Sequence, residues 1–139
     1  MIEGMHLTPI GDGNVLLEPG EGIDPGNHDA YLTSLLEYLQ QHNAQRLLYD
    51  LKSIRIIDSV YYRWLTALYT HCRISGIELI TVNMRPAAAY ALAIMLDKPP
   101  PFNCALDIDS TRRRSASDEE MGEENESGDT LPDTANGQQ

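Results

Sequence analysis

Arg46-Leu47-Leu48-Tyr49-Asp50-Leu51, then Ser59-Val60-Tyr61-Tyr62-Arg63-Trp64-Leu65, then Ile77-Glu78-Leu79-Ile80-Thr81-Val82-Asn83: this succession decides the fold. The first run is short and almost continuously apolar, as a strand covered on both faces of a parallel sheet is. On a helical wheel, residues 59–75 separate into two faces. Tyr61, Trp64, Leu65, Leu68 and Cys72 gather on one side and are expected to pack on the sheet. Ser59, Tyr62, Arg63, Thr66, Thr70 and Arg73 gather on the other, a polar face that carries a tyrosine and suits a partner protein as well as water. Gly76 supplies the C-cap, and Ile77–Asn83 reads as the next strand. Strand, helix and strand in that order make a parallel unit with a right-handed crossover.

The same pattern extends in both directions. Upstream, Met5–Ile10 and Asn14–Glu18 are strand candidates joined by Gly11-Asp12-Gly13, which is turn chemistry. Asp24-Pro25 offers an N-cap with proline at the first helical position. Leu32, Leu35, Leu36 and Leu39 then give an amphipathic helix to about Asn43. Downstream, Arg85-Pro86 opens a third helix with Ala88, Ala91, Leu92 and Met95 at helical spacing. Lys98-Pro99-Pro100-Pro101 ends it, and Asn103–Asp109 reads as a last strand. The expected order is ββαβαβαβ, an α/β fold with a mixed sheet.

The 139 residues give room for one domain with an adequate core. No apolar run approaches the roughly 20 residues that cross a bilayer. The start, Met1-Ile2-Glu3-Gly4, has no basic segment followed by an apolar one, so the expected location is the cytoplasm. The net charge of -11 is unevenly spread. Residues 115–139 hold eight acidic residues and no basic one, whereas 1–114 hold thirteen acidic and ten basic. The foldable part thus lacks the basic face that nucleic acid requires. Residues 111–139 are expected to form a disordered acidic tail after a domain at 1–110, because the segment has too few apolar side chains to offset its chain entropy.

Cys72 and Cys104 form no CxxC pair, and His6, His28, His42 and His71 show no i,i+4 spacing, so no metal, disulfide or cofactor is expected. No glycine-rich phosphate loop, GxSxG elbow or ordered Ser-His-Asp set is present, and catalytic residues are not expected. Ser59 is the residue with chemistry to offer. A serine at a helix N-terminus meets unpaired N–H groups and a partial positive charge, which suit either a plain cap or a phosphate. Arg63, four residues on, is placed to reach a phosphate on Ser59, and Asp58 would be repelled by one. The fold would tolerate the added anion, while a partner docked on that face would have to desolvate it.

Leu48-Tyr49-Asp50-Leu51, together with Ile57-Asp58-Ser59-Val60-Tyr61-Tyr62-Arg63, resembles the signature of the STAS-domain anti-sigma-factor antagonists. Val82-Asn83-Met84-Arg85-Pro86-Ala87 is similar to the Gly-Met-Arg-Pro-Ala segment of the branch that supplies small stressosome subunits. The resemblance spans roughly residues 5–110. It implies a STAS fold and a non-catalytic regulator whose Ser59 is phosphorylated by a GHKL-type switch serine/threonine kinase and reset by a PP2C-type phosphatase. It further implies assembly with STAS paralogues into a large oligomer. Asp58, Tyr62, Arg63, Thr66 and Arg85 are the expected partner-binding residues. Asn83 departs from the family pattern, standing where glycine is common, and the acidic tail is an extension of it.

A reading of a different class rests on Asp50, which ends a central strand where phosphoreceivers carry their acceptor. The acidic pair at the early strands and the lysine after the last strand that a receiver needs are missing, since Lys98 precedes the final strand. A small-molecule site using Asp50 is the related alternative.

Overall fold

Gly11, Asp12 and Gly13 all adopt positive φ, at 92°, 57° and 77°, and so turn the chain within two residues. The computed structural model, which describes residues 2–111, joins β1 (Met5–Gly11) to β2 (Asn14–Pro19) through this hairpin. The pair is antiparallel, with Leu7 opposite Leu17. The chain then alternates through α1 (Asp29–Gln41), β3 (Arg46–Asp50), α2 (Ser59–Ile74), β4 (Glu78–Val82), α3 (Pro86–Met95) and β5 (Asn103–Ala105). The sheet order is β1-β2-β3-β4-β5, and every pair after the hairpin is parallel. The expected ββαβαβαβ order and mixed sheet are therefore present.

Strands added in chain order by right-handed crossovers place all three helices on one face of the sheet. The side chains of the core agree. Leu17 of β2, Leu47 and Tyr49 of β3, and Leu79 of β4 share one pleat direction and pack with Leu35, Trp64 and Leu68 of the helices. Each such burial contributes on the order of 2 kcal/mol. Leu48, Ile80 and Val82 point to the opposite face and are buried as well, so β3 and β4 are covered on both sides as the continuous apolar runs require.

Two boundaries differ from expectation. Asp24-Pro25 does not open α1. The Asp24 carboxylate instead accepts from the N–H of Gly26 at 3.1 Å, and its carbonyl accepts from Asn27 at 3.0 Å, closing a turn before the helix. Gly26 and Asn27 are poor helix formers, and the helix starts only at Asp29. The Tyr31 hydroxyl accepts from the N–H of Asp24 at 2.7 Å and ties that turn to the helix. At the other end, β5 stops at Ala105 and does not run to Asp109. The Asp107 side chain accepts from the N–H of Ser110 at 2.7 Å, the geometry of a helix cap, and residues 108–111 turn helically.

The chain divides into two units, Met1–Leu106 and Asp107–Gln139. Of the expected tail at 111–139, all but Thr111 lies outside the described residues. Among the described residues no helix is long and apolar enough to cross a membrane.

Candidate functional site

The connection from β3 to α2 is built from alternating anchors. Leu51 and Ile57 are buried and fix its ends, while Ile56 between them is 70% exposed. Asp58 then takes an extended conformation and its carboxylate accepts from the N–H of Tyr61 at 2.8 Å, which makes it the N-cap of α2. Ser59 is the first helical residue. The cap role that the sequence leaves open for Ser59 thus belongs to its neighbour. The Ser59 hydroxyl is exposed and makes no hydrogen bond among the described residues.

The α2 wheel is realised. Tyr61, Trp64, Leu65, Leu68 and Cys72 are buried. On the outer face Ser59, Arg63, Thr70 and Arg73 are exposed, with Tyr62 and Thr66 half-buried. The Nε of Arg63 donates to the carbonyl of Ser59 at 3.3 Å, so this side chain folds back along the helix and stands beside the serine. Thr66 donates its hydroxyl to the Arg63 carbonyl at 3.0 Å. Tyr62 leans on Phe102, with ring centroids 6.2 Å apart.

Arg85 is the expected site residue that lies elsewhere. It is exposed at the N-cap of α3, and its Nε donates to the carbonyl of Lys52 at 2.7 Å. It thereby holds the start of the connection that ends in Ser59. Asn83, just before it, has φ of 59°, the left-handed conformation that glycine adopts freely and asparagine tolerates best among the other residues. Asparagine thus occupies here a conformation that glycine would adopt without strain. Asn83 also gains a side chain that donates to Asp50 Oδ1 at 3.2 Å.

Asp50 is only 2% exposed. Its Oδ1 accepts from the backbone of Lys52 at 2.9 Å as well as from Asn83, and its Oδ2 stands 3.5 Å from Lys52 Nζ. It fastens the ends of β3 and β4 and is enclosed by those bonds. A groove of about 370 Å³ lined by Tyr69, Arg73, Glu78 and Asn103 lies at the opposite end of the strands.

Beneath the face, the Trp64 Nε1 donates to the Tyr49 hydroxyl at 2.8 Å, and that hydroxyl is 2.6 Å from the Tyr61 hydroxyl. This buried chain ties the first turns of α2 to β3. Burial raises the Tyr49 ionisation well above its ordinary value and pushes Tyr61 to about 12. An unfolded chain releases these protons near pH 10 and the folded one retains them, so their stabilisation is complete below pH 10 and is lost as pH rises toward 12. The urea midpoint is expected to fall across that window, with tyrosinate absorbance rising together with unfolding, and to fall less in Tyr61→Phe. Ionisation of both buried tyrosines in the still-folded protein would refute the argument. Burial likewise pushes the Cys72 thiol to about 12, which leaves it unreactive, whereas Cys104 is exposed.

Sequence reasoning missed two features here. Ile56 and Val60, the latter 38% exposed, are exposed apolar residues that flank Ser59 in the chain; the signal for them is Ile56-Ile57, where only one isoleucine can be buried. The Arg85–Lys52 and Asn83–Asp50 bonds join residues 33 apart and leave no local pattern to find.

Comparison with known proteins agrees with this architecture. Solved structures with the same fold include a serine-to-glutamate variant of RsbS from Moorella thermoacetica, at a TM-score of 0.62 and 16% identity over 79% of this chain and 92% of that one. The NMR structure of the protein TM1081 superposes at 0.64 with 16% identity, covering 81% of this chain and 86% of that one. A chain from the molecular architecture of the stressosome, a signal integration and transduction hub, superposes at 0.55 with 18% identity, covering 78% and 94%. No curated protein sequence matches. The STAS domain model matches residues 7–96, from the first strand to the end of the third helix, and the chain belongs to the STAS domain family.

Proposed function

We propose that this STAS domain is a non-catalytic regulatory binding module, of the anti-sigma-factor-antagonist type, switched by phosphorylation of Ser59. The observation that carries the reading is the division of labour at the start of α2. Asp58 performs the capping, and the adjacent Ser59 hydroxyl is left exposed and unbonded, with the exposed apolar residues Ile56 and Val60 flanking it in the chain. A serine needed only for the helix would be expected to spend its hydroxyl there.

The acting partner is a GHKL-type serine kinase, reset by a PP2C-type phosphatase, and the domain assembles with STAS paralogues into a large oligomer. Ile56, Val60, Tyr62, Arg63 and Thr66 form the docking surface, and Arg85 sets the loop that presents it. A phosphate adds about -1.5 to -2 charges beside the Asp58 carboxylate. Arg63 stands next to the new anion and can turn to pair with it, while a partner that covers Ile56 and Val60 would have to strip its water. The switch therefore acts on binding and leaves the fold in place.

The test is phosphorylation by the cognate kinase with mass mapping, beside capture of that kinase by wild type, Ser59→Ala and Ser59→Asp. Phosphate is expected on Ser59 alone. Ser59→Asp is expected to keep its urea midpoint and to lose at least about tenfold in capture, a loss of about 1.4 kcal/mol. Equal capture by wild type and Ser59→Asp, or phosphate on another residue, would count against the reading.

A further inference from the structure

α3 contains no charged residue, and only Ala88 and Leu92 of it are buried. Tyr90 and Ile94 are 71% and 70% exposed, and Ala87 and Ala91 are exposed with them. Residues 87, 90, 91 and 94 have the i, i+3, i+4, i+7 spacing of an apolar seam, so this helix carries a second seam beside the one it lays on the sheet. Exposed apolar seams of that kind mark contact surfaces. Residues 112–139 contain Met121 and Leu131 as their only large apolar side chains.

The seam is complementary to itself. Its sizes alternate as small, large, small, large: Ala87, Tyr90, Ala91, Ile94. Laid antiparallel on a copy about a two-fold axis between positions 90 and 91, each Ala87 meets the other copy's Ile94 and each Tyr90 meets the other's Ala91. A large side chain then faces a small one at every level, which lets two helices approach closely. The ends match as well. Arg85 precedes the helix and Asp97-Lys98 comes after it, all exposed, so the antiparallel arrangement brings Arg85 of one copy to the helix C-terminus and the Asp97 carboxylate of the other, with Lys98 beside it. The seam itself carries no charge, so two copies meet no like charges along it.

We propose that two copies of this chain pair through α3 in an isologous dimer, with Tyr90 and Ile94 of each seated over Ala91 and Ala87 of the other. This deepens the assembly part of the proposed function and does not depend on the Ser59 switch. One ten-residue helix on each side makes less than a standard interface, so the dimer is a weak, reversible one.

Sedimentation of the full chain from micromolar to hundreds of micromolar is expected to show a monomer–dimer equilibrium. Ile94→Glu should weaken it by about a hundredfold while leaving the circular dichroism and urea midpoint unchanged. In a Cys104→Ser background, Ala91→Cys should form an intermolecular disulfide under mild oxidation, since the paired positions are offset by only about 1.5 Å along the axis. Ala87→Cys should not, its offset being about 10 Å. Ser59→Asp should dimerise as wild type does, which separates failure of this interface from failure of the switch. A monomer at every concentration would overturn the proposal and assign the seam to a different protein. Dimerisation unaffected by Ile94→Glu, or equally fast coupling at positions 87 and 91, would overturn it too.

Discussion

Trp64→Ala is expected to destabilise the protein by about 4 kcal/mol, the largest effect of any single truncation on α2. The side chain is fully buried, and its ring meets Tyr31 edge-on at 5.7 Å and His28 at 6.0 Å. Removing it opens a large cavity between α1, α2 and the sheet. It also deprives the Tyr49 hydroxyl of its indole donor inside an apolar core. Small domains have roughly 5–15 kcal/mol in total, so most of the margin disappears. Urea unfolding monitored by circular dichroism checks this through a lower midpoint at unchanged slope. Trp64→Phe separates the two contributions, because it keeps most of the ring and loses only the hydrogen bond, with about 1.5 kcal/mol expected. A loss below about 1 kcal/mol for Trp64→Ala would mean that the helix packs without this anchor.

Asp50→Ala is expected to cost about 3 kcal/mol, although no catalytic role is assigned to the residue. Its side chain accepts from the N–H of Lys52 and from the Asn83 amide, and the second bond helps hold Asn83 at its positive φ. Alanine leaves both donors without their acceptor in a site that is 2% exposed. The loops that carry Ser59 and Arg85 lose their common fastening. Asp50→Asn keeps one carbonyl oxygen in place, and a loss of about 1 kcal/mol is expected from the weaker neutral acceptor and the missing Lys52 ion pair. The same urea titration reads both variants. Equal losses for alanine and asparagine would show that charge, and not the acceptor geometry, holds the loops.

The sequence is most legible where burial imposes a long period. Trp64, Leu65, Leu68 and Cys72 must share a face, and the Arg46–Asp50 run must be a covered strand, so α2 and β3 can be read nearly to the residue. It is least legible where one short side chain serves several purposes. Asp24 reads as a helix cap but closes a turn, Asp58 reads as a mere neighbour of Ser59 but is the cap, and Asp107 reads as strand but begins a helical turn. An aspartate accepts from an N–H two or three residues ahead in each case, and only the tertiary setting decides whether a turn or a helix is built on that bond. At the candidate site, the exposure of Ser59 is given by helical phase. The clasp of Arg85 on Lys52 is not, because its partners meet only after the β3–α2–β4 crossover has been made.

The plain numerical order of the sheet has a consequence for how the protein is born. Each strand bonds to the one synthesised just before it, so nothing already laid down must wait for a distant segment to emerge from the ribosome. The nascent hairpin can template β3, and β3 can template β4, in the rhythm of translation. The three-residue β5 is then the last piece to dock, and a stalled nascent chain cut short before Asn103 would expose the edge of β4 as the place where aggregation begins.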